Sequence, residues 1–389
     1  MGKWQGALES LVVMDHLFGG VYQGKTVLLT GHTGFKGAWL ALWLQLLGAR
    51  VIGYALPPMT EPSFFRLANL QEGITHVEGD IRNADQVRDV LKQYQPQMVF
   101  HLAAQSLVRY SYNQPVETYT TNVLGTVNVL EAIRMTPSVR ACINVTSDKC
   151  YENREWPYAY RENDAMGGFD PYSSSKGCAE LITAAYRSSF FLNGATRPVR
   201  LASARAGNVI GGGDWAQDRL IPDSIRALMG GQAVMVRNPH AIRPWQYVLE
   251  PLSGYLWLGA CLWSKPSGFD EAWNFGPHCT SNLPVFQVVN HVVTMWGSGA
   301  WEQAAGGQHS EPHEARTLSL DITKAKLRLG WEPVFSVEQA IAETINWYRV
   351  QYRNPESDVR TFSSEYIARY VQAAMKKDAV WTAKQENLS

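Results

Sequence analysis

The sequence has little cysteine, and what it has follows no pairing pattern. Cys142, Cys150, Cys178, Cys261 and Cys279 stand apart in 389 residues, without a CxxC pair. An odd, scattered set argues against a disulfide framework and against a zinc site, and points to a reducing compartment. The nine histidines show no ligand spacing, so no metal is expected. Neither sign of charge dominates, because 35 lysines and arginines balance 35 aspartates and glutamates. Bulk electrostatics offer no pull toward nucleic acid or a membrane surface. Long apolar runs are missing as well: Leu11–Met14 is too short for a signal sequence, and Ala38–Leu47 too short to span a bilayer. The expectation is a cytoplasmic protein with no nucleic-acid or membrane partner.

What is present is a chain with 46% apolar and 18% charged residues, enough for one large or two ordinary domains around a substantial core. It is organised around Val27–Gly37, VLLTGHTGFKG. An apolar run ends at Thr30, glycines follow at 31, 34 and 37, and an apolar helical segment, Phe35–Leu47, begins. A strand turning sharply into a helix leaves the helix's first N–H groups unpaired and its positive dipole end outward, which suits phosphate. Gly31 would permit the turn, Gly34 close approach to a pyrophosphate and Gly37 close packing of helix on strand. The stretch reads as a dinucleotide site, with an ordinary glycine-rich turn as the alternative.

Further strands are predicted at Val51–Leu56, Ile74–Glu78, Met98–Leu102, Ala141–Thr146 and Val199–Ala204. Helices are predicted at Ala84–Tyr94, from near Pro115 to about Met135, and at Pro171–Phe191. Their alternation implies an α/β fold with a doubly wound parallel Rossmann sheet, and ligands outside the carboxyl ends of its strands. Gly31, Asp80, Ala103, Ser147 and Asn208 all fall just after a predicted strand. Beyond Asn208 the pattern loosens. Helices are expected at Pro222–Met229, Val285–Met295 and Val337–Tyr348, and short strands at Val234–Val236, Trp245–Val248 and Trp273–Phe275. The last two are expected to return to the main sheet, and the polar tail from Lys376 to fray.

Tyr172 and Lys176 form Tyr-x-x-x-Lys on a predicted helix, a spacing that puts both on one face. An ammonium beside a phenol favours the phenolate and lowers its pKa, and such a tyrosine can take a proton from a sugar hydroxyl. Ser147, Asp148 and Lys149 follow the fifth strand directly and would face a bound ligand. Asp80 is placed to accept from an adenine amino group, with Ile81 against the ring. The second strand, ending in Gly53-Tyr54-Ala55, lacks the acid that usually holds the ribose of NAD. His32 and Lys36 sit in the glycine turn instead and could meet a phosphate, which leaves NAD against NADP open. Arg219, Arg237 and Arg243 suit a diphosphate, with solvated surface arginine as the alternative for each; the same holds for His313 and Glu314.

The longer motifs carry a resemblance. TGHTGFKG at 30–37, TSDKCY at 146–151, GGFDPYSSSKGCAE at 167–180, RAGNVIGGGDWAQDRLIPD at 205–223, IRPWQYVLEPLSGY at 242–255, WNFGP at 273–277 and PHEA at 312–315 resemble the nucleotide-sugar 4,6-dehydratases, within the extended short-chain dehydrogenase/reductase superfamily. The likeness runs from about residue 21 to about 350. The Ser-Asp-Lys triplet, where sister enzymes carry Thr-Asp-Glu, points to the branch acting on CDP-sugars.

This resemblance implies NAD held by Gly31, His32, Gly34, Phe35, Lys36, Gly37, Asp80 and Ile81, with Leu102, Ala103 and Ala104 near the nicotinamide, and Tyr172 and Lys176 beside it. It implies a nucleotide-sugar substrate met by Gln105, Asn208, Arg219, Leu220, Arg237, Arg243 and Glu314. Tyr172 with Lys176 would act at the C4 hydroxyl, Ser147 would bind near C4, and Asp148 would protonate the departing C6 hydroxyl. Lys149 would serve as a base or as an electrostatic stabiliser of the enolate. The implied organisation is a dinucleotide domain over 21–207 with returning segments at about 245–276, and a smaller mixed α/β substrate domain over 208–244 and 277–350. A C-terminal helical extension and tail fill 351–389. A homodimer or homotetramer would pair through helices near 115–135 and 171–191. The alternatives are an epimerase of the same fold, or a non-catalytic dinucleotide sensor, which would lack Tyr172 or Lys176.

Overall fold

The computed structural model of the chain describes residues 14–192, 199–265, 267–278, 281–304 and 317–383. Six strands follow in chain order: β1 (Thr26–Thr30), β2 (Arg50–Ala55), β3 (Thr75–Glu78), β4 (Met98–His101), β5 (Ala141–Val145) and β6 (Arg200–Ala206). With a seventh, Ala272–Phe275, they form one parallel sheet in the spatial order Ala272–Phe275, β6, β5, β4, β1, β2, β3. The chain winds from β1 through β2 to β3, then crosses back to lay β4, β5 and β6 on the other side of β1. The order reverses between β1 and β4, where an open parallel sheet leaves a crevice at its carboxyl edge.

The strands themselves explain why helices cover both faces. Val27 and Leu29 enter one core and Leu28 the other; Met98 and Phe100 oppose Val99; Ala141, Ile143 and Val145 oppose Cys142. Successive side chains point to opposite faces, so a strand buried on both sides reads as an unbroken apolar run. The first core includes helices Phe35–Leu46, Leu249–Ser264, Val337–Arg353 and Val359–Lys376. The second takes Ala84–Tyr94, Gly125–Arg134 and one side of Pro171–Tyr186. Phe35–Leu46 has almost no polar stripe because it is enclosed; Trp39 and Trp43 are fully buried. The expected helix from Pro115 occurs as Pro115–Tyr119 and Gly125–Arg134, joined by a π turn at Thr120–Leu124.

Two expectations change, one is met and one helix is added. Gln246–Tyr247 does not return to the main sheet but pairs in parallel with Val209–Ile210. The expected return of Trp273–Phe275 does occur, as Ala272–Phe275 beside β6. The next stretch, Leu249–Ser264, is a helix hidden from periodicity because almost every face is apolar and buried. Its Pro251 lies in the first turn, where the missing N–H breaks no bond. The chain does not fray from Lys376, since Trp381 is buried and stacks on Phe18, with ring centroids 5.0 Å apart, and on Tyr370.

Candidate active site

Thr30 draws the ends of β1 and β4 together. Its hydroxyl pairs with His101 Nδ1 at 2.7 Å and accepts from the N–H groups of Leu102 and Ala103, both at 3.1 Å. The chain then turns at Gly31, φ +75°, where a Cβ would lie 2.7 Å from the Ala103 nitrogen. A Cβ on Gly37 would come within 2.1 Å of the Gly31 oxygen, so the helix starts hard against the turn. Gly34 is the helix's exposed N-cap and supplies no side-chain cap. The first-turn N–H groups thus keep their capacity for an anion, and this cradle fits a dinucleotide pyrophosphate. Leu102, Ala103 and Ala104 stand half-buried beside it.

Several residues expected around the cofactor sit elsewhere. The His32 imidazole is fully buried, its Nε2 2.7 Å from His76 Nδ1 and its ring packed over Gly53. Burial, then His76, push its pKa down to about 3, so it is a neutral core group and not a phosphate partner. Gly53 on β2 is the space that this ring requires. Lys36 lines the cleft together with Asp148 and Arg219, and not the adenosine end. Burial, then Arg219, bring its pKa down to about 8, with Asp148 opposing. Asp80 accepts from the Arg82 backbone N–H at 2.8 Å and from Nε at 2.7 Å. Burial raises its pKa, but Arg82 outweighs that and holds the carboxyl below its usual range. The Ile81 side chain is buried against Gly125 and belongs to the core. Gln105 is also turned inward: its Nε2 donates to Thr118 Oγ1 at 2.9 Å and to the Leu107 oxygen at 3.1 Å, and its Oε1 accepts from the Leu107 N–H. Its side chain is committed to the protein rather than to a substrate.

The chemical residues converge in a single cleft. Asp170 caps the helix Pro171–Tyr186 by accepting from the Ser173 N–H at 2.9 Å, and Pro171 opens it. Tyr172 therefore falls in the first turn, and Lys176 one turn further on. β5 ends just before Thr146, so Ser147, Asp148 and Lys149 emerge opposite that helix. The Ser147 hydroxyl donates to Asp148 Oδ1 at 3.0 Å and lies near enough to the Tyr172 phenol to lower its pKa. Lys36, Ser147, Asp148, Lys149, Tyr172, Asn208, Arg219, Leu220, Arg237 and Arg243 line the cleft together.

Burial raises the Asp148 pKa, with Lys149, Ser147, Arg243 and Lys36 opposing, which favours the protonated form that a general acid needs. Tyr172 departs from expectation. Burial raises its pKa to about 12, and the bond from Ser147 and the charge of Arg219 only partly offset this. Lys176 is itself brought down to about 8, by burial and then by Lys36. In this pocket desolvation dominates the phenol, and the group that lowers its pKa by charge is Arg219 rather than Lys176.

The arginines carry partners that sequence reasoning missed. Arg219 Nη1 is 2.9 Å from Asp214 Oδ2, and its Nη2 is 3.4 Å from Ser106 Oγ. Arg237 Nη1 is 2.8 Å from Asp218 Oδ1. Arg243 is buried, with Nη1 2.9 Å from the Ile242 oxygen. Asp214 and Asp218 lie inside the GGGDWAQDR motif, the one signal that could have found them. Glu314, His313 and Cys279 lie outside the described residues. Among the described residues no cluster of His, Cys, Asp or Glu could hold a metal, and no helix is long and apolar enough to cross a membrane.

Comparison with known proteins agrees with this geometry. The family described as GDP-mannose 4,6 dehydratase matches residues 28–261. A CDP-glucose 4,6-dehydratase from Salmonella typhimurium is 48% identical over 91% of this chain and 98% of its own length. A dTDP-glucose 4,6-dehydratase from Xanthomonas campestris is 28% identical over 83% of this chain and 93% of its own. Among solved structures, a dTDP-glucose 4,6-dehydratase from Bacillus anthracis in complex with NAD has the same fold, with TM-score 0.70 and 22% identity over 85% of this chain and 98% of that one. With a family match across more than half its length, a near-full-length relative and the cleft just described, the chain belongs to the nucleotide-sugar 4,6-dehydratase family of extended short-chain dehydrogenases/reductases.

Proposed function

We propose that this protein is an NAD-dependent CDP-glucose 4,6-dehydratase, which converts CDP-glucose to CDP-4-keto-6-deoxyglucose and water. The observation that carries the reading is the Ser147-Asp148-Lys149 triplet set against Tyr172 in one cleft. The same triplet distinguishes the CDP-sugar branch in the sequence, and the relative that is 48% identical bears that name. Gly31–Gly37 would cradle NAD, which would supply a hydride acceptor at C4 and, once reduced, a donor at C6, so the reaction would be redox-neutral overall.

The chain's own groups perform the proton chemistry. Tyr172 takes the proton of the C4 hydroxyl as C4 is oxidised, the phenolate that this requires being favoured by the cationic nicotinamide that bound NAD would bring to the cleft, and Ser147 stands beside that phenol. The resulting 4-keto group acidifies the proton at C5. Asp148, held towards its acid form by burial, gives its proton to the C6 hydroxyl, which leaves as water. Lys149 lies in the same cleft, as the C5 base or as a cation that stabilises the enolate. With hydride from the reduced cofactor, which NAD would supply at C6, the proton taken from C5 must be given back there, so that C5 and C6 end as CH and CH3. Arg219, Arg237 and Arg243 line the cleft where a diphosphate would lie, with Asn208 and Leu220 beside them. We read residues 208–244 and 277–350 as the substrate-binding part, and the enzyme as cytoplasmic.

The test is direct. Purified protein is incubated separately with CDP-glucose, dTDP-glucose, UDP-glucose and GDP-mannose, and the absorbance of a 4-keto-6-deoxy sugar in alkali is followed. Product from CDP-glucose in preference to the others is expected; turnover of another nucleotide sugar in its place would overturn the substrate assignment. Nucleotide released on denaturation should be NAD. Recovery of a C4 epimer without water loss would instead support an epimerase.

A further inference from the structure

Behind the cleft lies a buried charge pair that the chemistry above does not use. Glu180 is on the helix that carries Tyr172 and Lys176, eight and four residues further along, hence on the same stripe. Its carboxylate is fully engaged. It accepts from Thr146 Oγ1, from Ser203 Oγ at 2.7 Å and from Arg205 Nη2 at 2.8 Å. Thr146 immediately precedes Ser147, and Arg205 is on β6. Arg205 continues the network, its Nη1 2.6 Å from the Tyr151 hydroxyl and 3.0 Å from the Glu162 oxygen. The Tyr151 hydroxyl in turn donates to Asn274 Oδ1 at 2.8 Å. Both charged side chains are only 4% exposed.

We infer that Glu180, paired with Arg205, is a positioning residue: it locks the helix bearing Tyr172 and Lys176 to the strand end bearing Ser147 and Asp148, and it supplies the negative charge that keeps Lys176 an ammonium. The proposal rests on the reading that Tyr172 and Lys176 act in catalysis, and goes beyond it. A fully buried ion pair is a poor source of stability, because the desolvation of two ions offsets most of their attraction. Its placement suits orientation. Three hydrogen bonds to one carboxylate fix three elements at once, and two of them carry the reacting groups.

The charge has a clear recipient. Lys176 is faced by Lys36 from helix Phe35–Leu46, His101 from β4, Cys150 from the turn after β5, and Glu180 from its own helix. Burial and Lys36 drive its pKa down to about 8, while Cys150 and Glu180 push it up. Cys150 is buried with its pKa raised, so it is a neutral thiol at ordinary pH. His101 is brought down to about 3 by burial and then by Lys176, so it is neutral as well. Glu180, faced by Arg205 and Arg187, stays ionised: burial raises its pKa, but Arg205 and the bonds from Thr146 and Ser203 outweigh that. Of the groups that push Lys176 up, Glu180 is thus the one that carries a negative charge.

Two variants that remove the charge, and one that restores it, test this in the NAD-loaded enzyme. Glu180→Gln keeps the shape and removes the charge. The alkaline limb of the pH–kcat profile, where Lys176 loses its proton, should move to lower pH by about one to two units, with KM for CDP-glucose little changed. Glu180→Gln combined with Arg205→Met removes both charges, tolerates burial better, and should give a limb between that of the single variant and wild type. Glu180→Asp should restore most of the limb. Titration of lysine-13C-labelled protein, with Lys176→Arg to assign the resonance, reads the same shift without turnover. It therefore still decides the matter if wild type proves inactive on CDP-glucose, an outcome that would count against the substrate alone. A limb and a resonance that stay in place in both variants, with rates lowered equally at every pH, would overturn the proposal.

Discussion

Asp148 rests directly on Gly207: a Cβ at residue 207 would lie 2.7 Å from Asp148 Oδ2. β6 ends at Ala206, so its first residue beyond the sheet forms the floor under the acid on the neighbouring strand end. The φ of Gly207 is not in the left-handed region, so alanine would strain no backbone and would act by displacing the carboxyl. We expect Gly207→Ala to lower product formation by about 10²-fold, the scale of a displacement of about 1 Å at a reacting group. The thermal unfolding midpoint should stay close to wild type. A large drop in that midpoint would assign the effect to folding instead.

Asp148→Asn keeps the size of the acid and removes its proton. Elimination should fall by about 10²–10⁴-fold, the usual contribution of a general acid. Oxidation at C4 needs Tyr172 and not Asp148, so reduced nicotinamide absorbance should still appear on adding CDP-glucose. Unchanged product formation would remove Asp148 from the role of acid.

Glu250 should give the protein a stability that depends on pH. It is buried on Leu249–Ser264, accepting from the N–H groups of Val334 at 2.8 Å and Phe335 at 2.7 Å and from the Tyr370 hydroxyl at 2.7 Å. It thereby ties the C-terminal helix Val359–Lys376 to the first core. Burial raises its pKa from 4.5 to about 7, and the three donors and Lys377 oppose this only in part. The folded state thus holds the proton more tightly than the unfolded chain. The contribution is complete below about pH 4.5 and is lost as pH rises through about 7. Its size is on the order of 3 kcal/mol. Urea titrations from acid to alkaline pH should show wild-type stability falling across this window and Glu250→Gln nearly flat. Parallel curves would refute the linkage.

The outer faces of two neighbouring helical segments carry exposed apolar side chains: Val116 and Leu124 on one, Leu181 and Phe190 on the other. We propose that these faces pair two subunits. Leu181→Asp combined with Val116→Arg should give a monomer by sedimentation while leaving the fold intact by circular dichroism. A wild-type protein that is already monomeric would contradict the pairing.

Sequence alone determined the parallel sheet, because β1, β4 and β5 are short apolar runs separated by helical segments, and strands buried on both faces in this way belong to parallel sheets covered by helices. The glycine turn and the Tyr-x-x-x-Lys spacing of Tyr172 and Lys176 were also legible in it, while Ser147 and Asp148 were marked by their place after a strand and by the family resemblance. Tertiary structure decided what that spacing could not carry. His32 was legible as a residue of the turn, but only the packing of β2 and β3 shows that Gly53 and His76 take its ring into the core. Gln105 follows a strand end as a ligand residue would, yet Thr118 and Leu107 claim its amide. Helix Leu249–Ser264 was invisible to periodicity because burial on every side removes the polar stripe that periodicity detects. The pKa of Tyr172 is the sharpest case: Lys176 is written four residues on in the sequence, but the desolvation that raises the phenol depends on every element that closes around it.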